Sequence, residues 1–157
     1  MKVRKLARNM LIGAGAIFII FIAFMMFMLN ASVKFKHEHT AFIETYLTDL
    51  STQWSISDIH SRSTNQLLSQ MNEAQGRAVI ARYNVLGKLK RIEELEMMNY
   101  YTGTSGVTGQ FQLLVVYEGG PSLVKIVVIV KDDKVKVAGL HIKPLQGLPP
   151  VNTEREA

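Results

Sequence analysis

The sequence predicts an α+β protein, with an N-terminal transmembrane helix followed by helices packed on a curved four-stranded antiparallel sheet. Three observations carry this expectation. Met10 to Leu29 is a run of twenty residues without a charged or strongly polar side chain. Between Phe42 and Gly87 apolar residues recur at helical spacing. From Lys88 to Ile142 the period changes to two, interrupted by short Gly, Ser and Asp turns.

Residues 1–9 form a basic segment with Lys2, Arg4, Lys5 and Arg8. The apolar segment over 10–30 is long enough, at about 1.5 Å per residue, to cross a hydrocarbon core of about 30 Å. Only a helix satisfies its own backbone there. The run exceeds a secretory h-region, and Leu29-Asn30-Ala31 puts a bulky residue where cleavage wants a small one, so retention as an anchor is expected. The basic flank before the span outweighs Lys34 and Lys36 after it, which keeps the N-terminus cytoplasmic. In a bacterium this means the inner membrane, with the main domain in the periplasm.

A polar stalk is expected over 31–40 and the α+β domain over 41–143. Phe42, Ile43, Tyr46, Leu47 and Leu50 mark a first helix with Thr40 as N-cap. Ser57-Asp58 reads as the cap of a second helix carrying Ile59, Leu67, Leu68 and Met71, broken around Ser61–Thr64. A third helix runs from about Asn72 to Leu86 and ends at Gly87. The strands are expected at Leu89–Tyr101, with a bulge, and at Gln110–Glu118, Leu123–Lys131 and Lys134–Ile142. Thr102–Gly109, Gly119-Gly120-Pro121 and Asp132-Asp133 supply the turns, giving an antiparallel meander. The tail, 144–157, has too few apolar groups to fold and is expected to be disordered.

Composition excludes several functions. The net charge is +5, but six of the eighteen Lys and Arg lie in the first 36 residues, where there is no acid. From His37 onward 12 basic residues face 13 acidic ones, so no basic face for nucleic acid is expected. Cysteine is absent, which removes disulfides and thiolate or Cys-metal chemistry.

The remaining chemistry is thin. His37-x-His39 would turn two imidazoles one way in an extended stalk, but no third ligand lies nearby, so no metal is expected. Of Glu93, Glu94 and Glu96, at most Glu94 and Glu96 share a strand face. Asp58, His60 and Ser61 or Ser63 hold the residue types of a triad without a nucleophile elbow. Asp132-Asp133 reads as a turn, and Ser105-Gly106 lacks the lysine and helix of a phosphate loop. His141 reads as structural. Neither an enzyme nor a cofactor is expected.

Two sites remain. Trp54, Tyr83, Tyr100, Phe111 and Tyr117 are candidates to line a ligand pocket between helices and sheet. Along the central strands Phe111, Leu113, Val115 and Tyr117, with Val124, Ile126, Val128 and Val130, form one apolar face. Leu114, Val116, Val127 and Ile129 point the other way, so both faces are expected to be apolar at the centre of the sheet. One helical layer covers only one face, which makes the second a candidate interface.

Trp54 with Ser57-Asp58, Leu86-Gly87-Lys88-Leu89, Tyr117-Glu118-Gly119-Gly120, and Val128 to Asp133 leading into Val137 to Ile142 give an order of features that is similar to the cystatin-like, nuclear-transport-factor-2-like α+β proteins. These stand behind a single signal or anchor in bacterial envelopes. The resemblance covers about two thirds of the chain and implies fold more than activity. Enzymes of that group place acids and histidines inside the sheet cone, where this chain has Val, Ile and Leu. The same topology occurs in inner-membrane subunits of type IV secretion machines and in respiratory-assembly factors, where the domain docks. The expectation is a membrane-anchored, non-enzymatic envelope protein, an accessory or assembly subunit that forms a homo-oligomer or binds a membrane-complex protein. The alternative is a small apolar-ligand-binding module using the helix–sheet pocket.

Overall fold

The computed structural model describes residues 2–145. The chain divides into two units, the first ending at Glu38 and the second starting at His39. Helix α1, Lys2–Gln53, contributes to both.

In the first unit α1 is long and apolar enough to cross a membrane. Its large apolar side chains from Ile17 to Leu29 are 38–70% exposed, so the protein itself offers them no core. The expected stalk is helical. Residues 31–40 contain neither Gly nor Pro, and Lys34 pairs with Glu38 one turn on at 3.6 Å. Thr40 therefore sits inside a helix and not at its N-cap.

In the second unit Ile43, Tyr46, Leu47 and Leu50 form the buried stripe of α1. The helix stops at Gln53 because Trp54 turns left-handed, with φ +50°, while its N–H still reaches the Leu50 carbonyl at 2.8 Å. A 3₁₀ segment, Ser57–Arg62, follows. Its N-cap is Ile56, without a side-chain bond, so the expected Ser57-Asp58 cap is replaced. The expected break falls at Ser63-Thr64, and Thr64 accepts from the Leu67 N–H to start α2, Asn65–Asn72. Helix α3, Ala74–Tyr83, runs into a 3₁₀ turn over Asn84–Leu86. Gly76 lets the start of α3 approach α2, since a Cβ there would lie 2.1 Å from the Gln70 carbonyl oxygen.

The sheet is an open antiparallel meander in the order β1-β2-β3-β4. Its strands are β1 Leu89–Gly103, β2 Gly106–Tyr117, β3 Gly120–Lys131 and β4 Lys134–Pro144. Strand β1 carries the expected irregularity three times, at Leu89/Arg91, Ile92/Glu94 and Met97/Asn99. The expected Thr102–Gly109 loop shrinks to Thr104-Ser105, because cross-strand pairing continues from Thr102↔Val107 to Gly103↔Gly106. Likewise Gly120-Pro121 belongs to β3 and leaves Glu118-Gly119 as the turn. Asp132 and Asp133, φ 51° and 58°, make the two-residue hairpin with the backbone of a type I′ turn. Of the expected tail, Pro144 closes β4 and Leu145 donates its N–H to the Pro121 carbonyl at 3.0 Å. The rest, 146–157, lies outside the described residues.

The helical stripe is buried together with Phe111, Leu113, Val115, Tyr117, Val124, Ile126, Val128, Val137 and Ile142 of the inner sheet face. Polar bonds fasten the layers. Tyr46 Oη and Ser63 Oγ lie 3.0 Å apart, and the Thr64 N–H reaches the Val137 carbonyl at 2.9 Å. Ser51 Oγ accepts the Leu89 N–H at 3.0 Å.

Candidate interaction face and aromatic cluster

The end of α1 and the ends of β2 and α3 bring Trp54, Tyr83 and Tyr117 together. The Trp54 ring lies 5.6 Å from Tyr117 and 6.1 Å from Tyr83, centroid to centroid. Trp54 Nε1 donates to the Gly87 carbonyl at 3.1 Å, and Tyr83 Oη donates to the Ile142 carbonyl at 2.5 Å. Tyr117 Oη and Ser122 Oγ are buried and lack a hydrogen-bond partner. Burial pushes the Tyr117 phenol well above its ordinary range, and the neighbouring Tyr83 adds to the effect. Burial also raises Tyr83, against its bond to Ile142 and the charge of Arg82.

The other two pocket candidates stand elsewhere. Tyr100 pairs with Gly109 and Phe111 with Met97, toward the opposite end of the sheet. Tyr117 is eight residues along β2 from Gly109, about 27 Å at strand rise. The five aromatics therefore do not converge. Tyr83 borders a groove of about 150 Å³ with Leu67, Met71, Val79, Ile80 and Leu140, below the size typical of ligand pockets. Trp54 borders a separate hollow beside Ser55, Ser57 and Arg77.

The outer sheet face follows from the register. Pairing aligns Glu94, Leu114, Leu123 and Lys143 in one row across the strands, and Glu96, Gln112, Lys125 and His141 in the next. Asn99, Gln110, Val127 and Gly139 come third, then Tyr101, Thr108, Ile129 and Lys136. Arg91, Val116 and Pro121 close the near end. Each of these residues keeps some exposure, whereas their inward-facing neighbours on β2 and β3 are mostly buried. Leu114, Val116, Val127 and Ile129 are half-buried on this face.

The face is less apolar than expected. The row through Glu96, Gln112, Lys125 and His141 divides the apolar side chains into two patches, one around Leu114, Val116 and Leu123, the other around Val127 and Ile129. The signal was present in the alternation of β2 and β3, where Gln110, Gln112 and Lys125 share the parity of Leu114 and Val127. Apart from Arg91, which pairs with Glu93, the charges are also sorted: Glu94 and Glu96 stand on β1, whereas Lys125, Lys136, His141 and Lys143 stand on β3 and β4. Among the described residues Glu94, Glu96, Lys125, Lys136 and Lys143 form no ion pair within the chain.

The remaining candidates are dispersed. On a helix His37 and His39 diverge, and His37 is exposed while His39 is buried. Among the described residues no group of three or more His, Asp or Glu is placed to hold a metal. Ser63 is buried against Tyr46 and donates to the Ile59 carbonyl at 3.0 Å, while His60 is exposed. Glu93 accepts from Arg91 at 2.6 Å, and Arg62 bonds Asp49 at 2.5 Å. The chain matches no protein-family model, no curated protein and no solved structure.

Proposed function

We propose that this chain is a single-pass protein of a bacterial inner membrane, anchored by residues 10–30, with its N-terminus cytoplasmic and its α+β domain periplasmic. It acts without catalysis, by protein association through the outer sheet face, as an accessory or assembly subunit of a membrane complex. The observation that supports this reading is that face: Leu114, Val116, Val127 and Ile129 stand on it, and no residue on it is fully buried. The basic residues before the apolar run support the orientation. Helices followed by an open four-strand meander support a cystatin-like, nuclear-transport-factor-2-like fold. The pocket alternative has less behind it, because Trp54, Tyr83 and Tyr117 pack on one another.

The test is a charge placed in each apolar patch. The full chain is extracted in mild detergent, and wild type is compared with Val116→Lys and Val127→Lys by sedimentation. Circular dichroism reports folding. At high protein concentration wild type sediments as an assembly, and each variant loses association by more than about tenfold, since it brings an unpaired ammonium into an apolar contact. An unchanged assembly in both folded variants removes the proposal.

A further inference from the structure

We infer that the occupant of the outer face is a second copy of this chain, packed face to face about a two-fold axis parallel to the strands. The inference rests on the association reading above and names its partner. It is carried by the sorting of charge along the sheet.

Two packed sheets in a symmetric pair have two simple choices of axis in the plane between them. An axis across the strands lays β1 on the partner's β1 and β4 on the partner's β4. With that axis near the middle of the face, either Glu94 or Glu96 would face the carboxylate of the partner's Glu96, or Lys143 would face the ammonium of the partner's Lys136. Each of these contacts repels. An axis along the strands reverses the strand order and keeps each residue at its own height. Strand β1 then lies over the partner's β4, and β2 over the partner's β3.

Each cross-strand row becomes its own complement in this arrangement. Glu94 meets the partner's Lys143, and Leu114 meets the partner's Leu123. Glu96 meets the partner's His141. Tyr101, 60% exposed, lies beneath the partner's Lys136, which suits an ammonium over an aromatic ring. Gln110 and Val127 meet beside Gly139, where no side chain holds the sheets apart. The apolar patches are covered, and Glu94 and Lys143, left without an ion pair inside the chain, acquire one.

The size of the face sets the strength. Four strands about 4.8 Å apart and a length of about 27 Å give roughly 500 Å² per copy, or about 1,000 Å² in all. This is at the small end for specific interfaces, so association in free solution is weak. A shared membrane raises the local concentration of the two copies and favours the pair.

The absence of cysteine allows a direct test. Glu96→Cys/His141→Cys and each single variant are made in the full chain, and native membranes are treated with a short bismaleimide. Within one chain the two positions are three strands apart, about 14 Å, beyond the reagent. A cross-linked dimer from the double variant, with none from either single variant, is expected. Charge reversal gives an independent readout: Glu94→Lys and Lys143→Glu each lower the dimer fraction in detergent about tenfold, and the two chains mixed restore it. Dimer from Glu96→Cys alone overturns the axis and leaves association through the face standing. Cross-linking of Leu114→Cys, labelled with a photoreactive maleimide, only to a different protein overturns the second copy and also leaves that reading standing. If Leu114→Cys cross-links to nothing, the inference and the association reading both fall.

Discussion

Gly87 joins the helical layer to the sheet, and Gly87→Ala tests whether that joint depends on glycine. The residue has φ +68° and ψ −157°, a region open almost only to glycine. A side chain there costs about 1–3 kcal/mol in backbone strain. A Cβ would also stand 2.4 Å from Glu118 Oε2 and 3.0 Å from Glu118 Cβ. The carboxylate can swing away, but it then releases the Lys88 N–H that it accepts at 3.1 Å. That bond is exposed, so its loss adds about 0.5 kcal/mol. The expected destabilisation is about 3 kcal/mol, a large share of the 5–15 kcal/mol typical of a domain. The assay is urea unfolding of the full chain in mild detergent, followed by the fluorescence of its single tryptophan. Trp54 reports this joint directly, because its Nε1 donates to the Gly87 carbonyl. At a slope of about 1.5 kcal/mol per M, the midpoint falls by about 2 M. Adding Glu118→Ala separates the carboxylate from the rest: its contact is relieved, whereas the strain and the approach to the Cβ at 118 persist. A Gly87→Ala midpoint within about 0.3 M of wild type, with unchanged emission, refutes the reasoning.

Two further predictions concern the hairpin and the buried phenol. Asp133→Gly is expected to raise stability by about 0.5–1 kcal/mol, because glycine takes the left-handed second position of the Asp132-Asp133 turn without cost; the urea midpoint checks it. Tyr117→Phe is expected to leave stability unchanged or raise it by up to about 1 kcal/mol, since the hydroxyl it removes is buried without a partner. The same phenol makes the wild type alkali-sensitive. Its folded value is raised above the unfolded value of 10.0, so its contribution is complete below about pH 10 and is lost as pH rises further. The unfolded chain then releases a proton that the native state retains, at about 1.4 kcal/mol per pH unit. Urea midpoints compared at about pH 9 and pH 11 should fall less in Tyr117→Phe than in wild type.

The sequence made the layers legible because both periodicities are strong. Ile43, Tyr46, Leu47 and Leu50 mark one helical stripe, and the alternation from Phe111 to Tyr117 marks a strand with one buried side. Element ends were less legible, for local reasons. Residues 31–40 look like a stalk by polarity, but polarity does not stop a helix that lacks Gly and Pro. Thr102–Gly109 looks like a loop by composition, yet glycine at the turn end of a hairpin permits pairing up to Thr104-Ser105. The aromatic candidates share only their residue type. Type cannot separate Tyr117, at one end of the sheet, from Tyr100, at the other. The sorting of Glu94 and Glu96 against Lys136 and Lys143 required the cross-strand register, which the sequence does not contain.

The same sheet also presents an edge, and a meander could in principle associate through β1 instead of through its outer face. The residues of β1 argue against this. A strand that receives another chain needs a flat run of free N–H and C=O groups, and β1 breaks its regularity at three places. Its exposed side chains include Lys90, Arg91, Glu93, Glu94 and Glu96, which burden an incoming strand with desolvated charge. At the far side of the sheet, Ser63 bridges Val137 in parallel, and the Thr64 N–H takes the Val137 carbonyl, so part of the β4 edge is already occupied. The outer face also carries charge, but there Glu94 lies in register with Lys143, so a reversed copy can pair the two. Its apolar patches are flanked by acids on one side and bases on the other, an arrangement that repels its own mirror-like stacking and favours a reversed one. Of the charges that discourage edge pairing on β1, Glu94 is therefore also the one that a reversed second copy would meet with its Lys143.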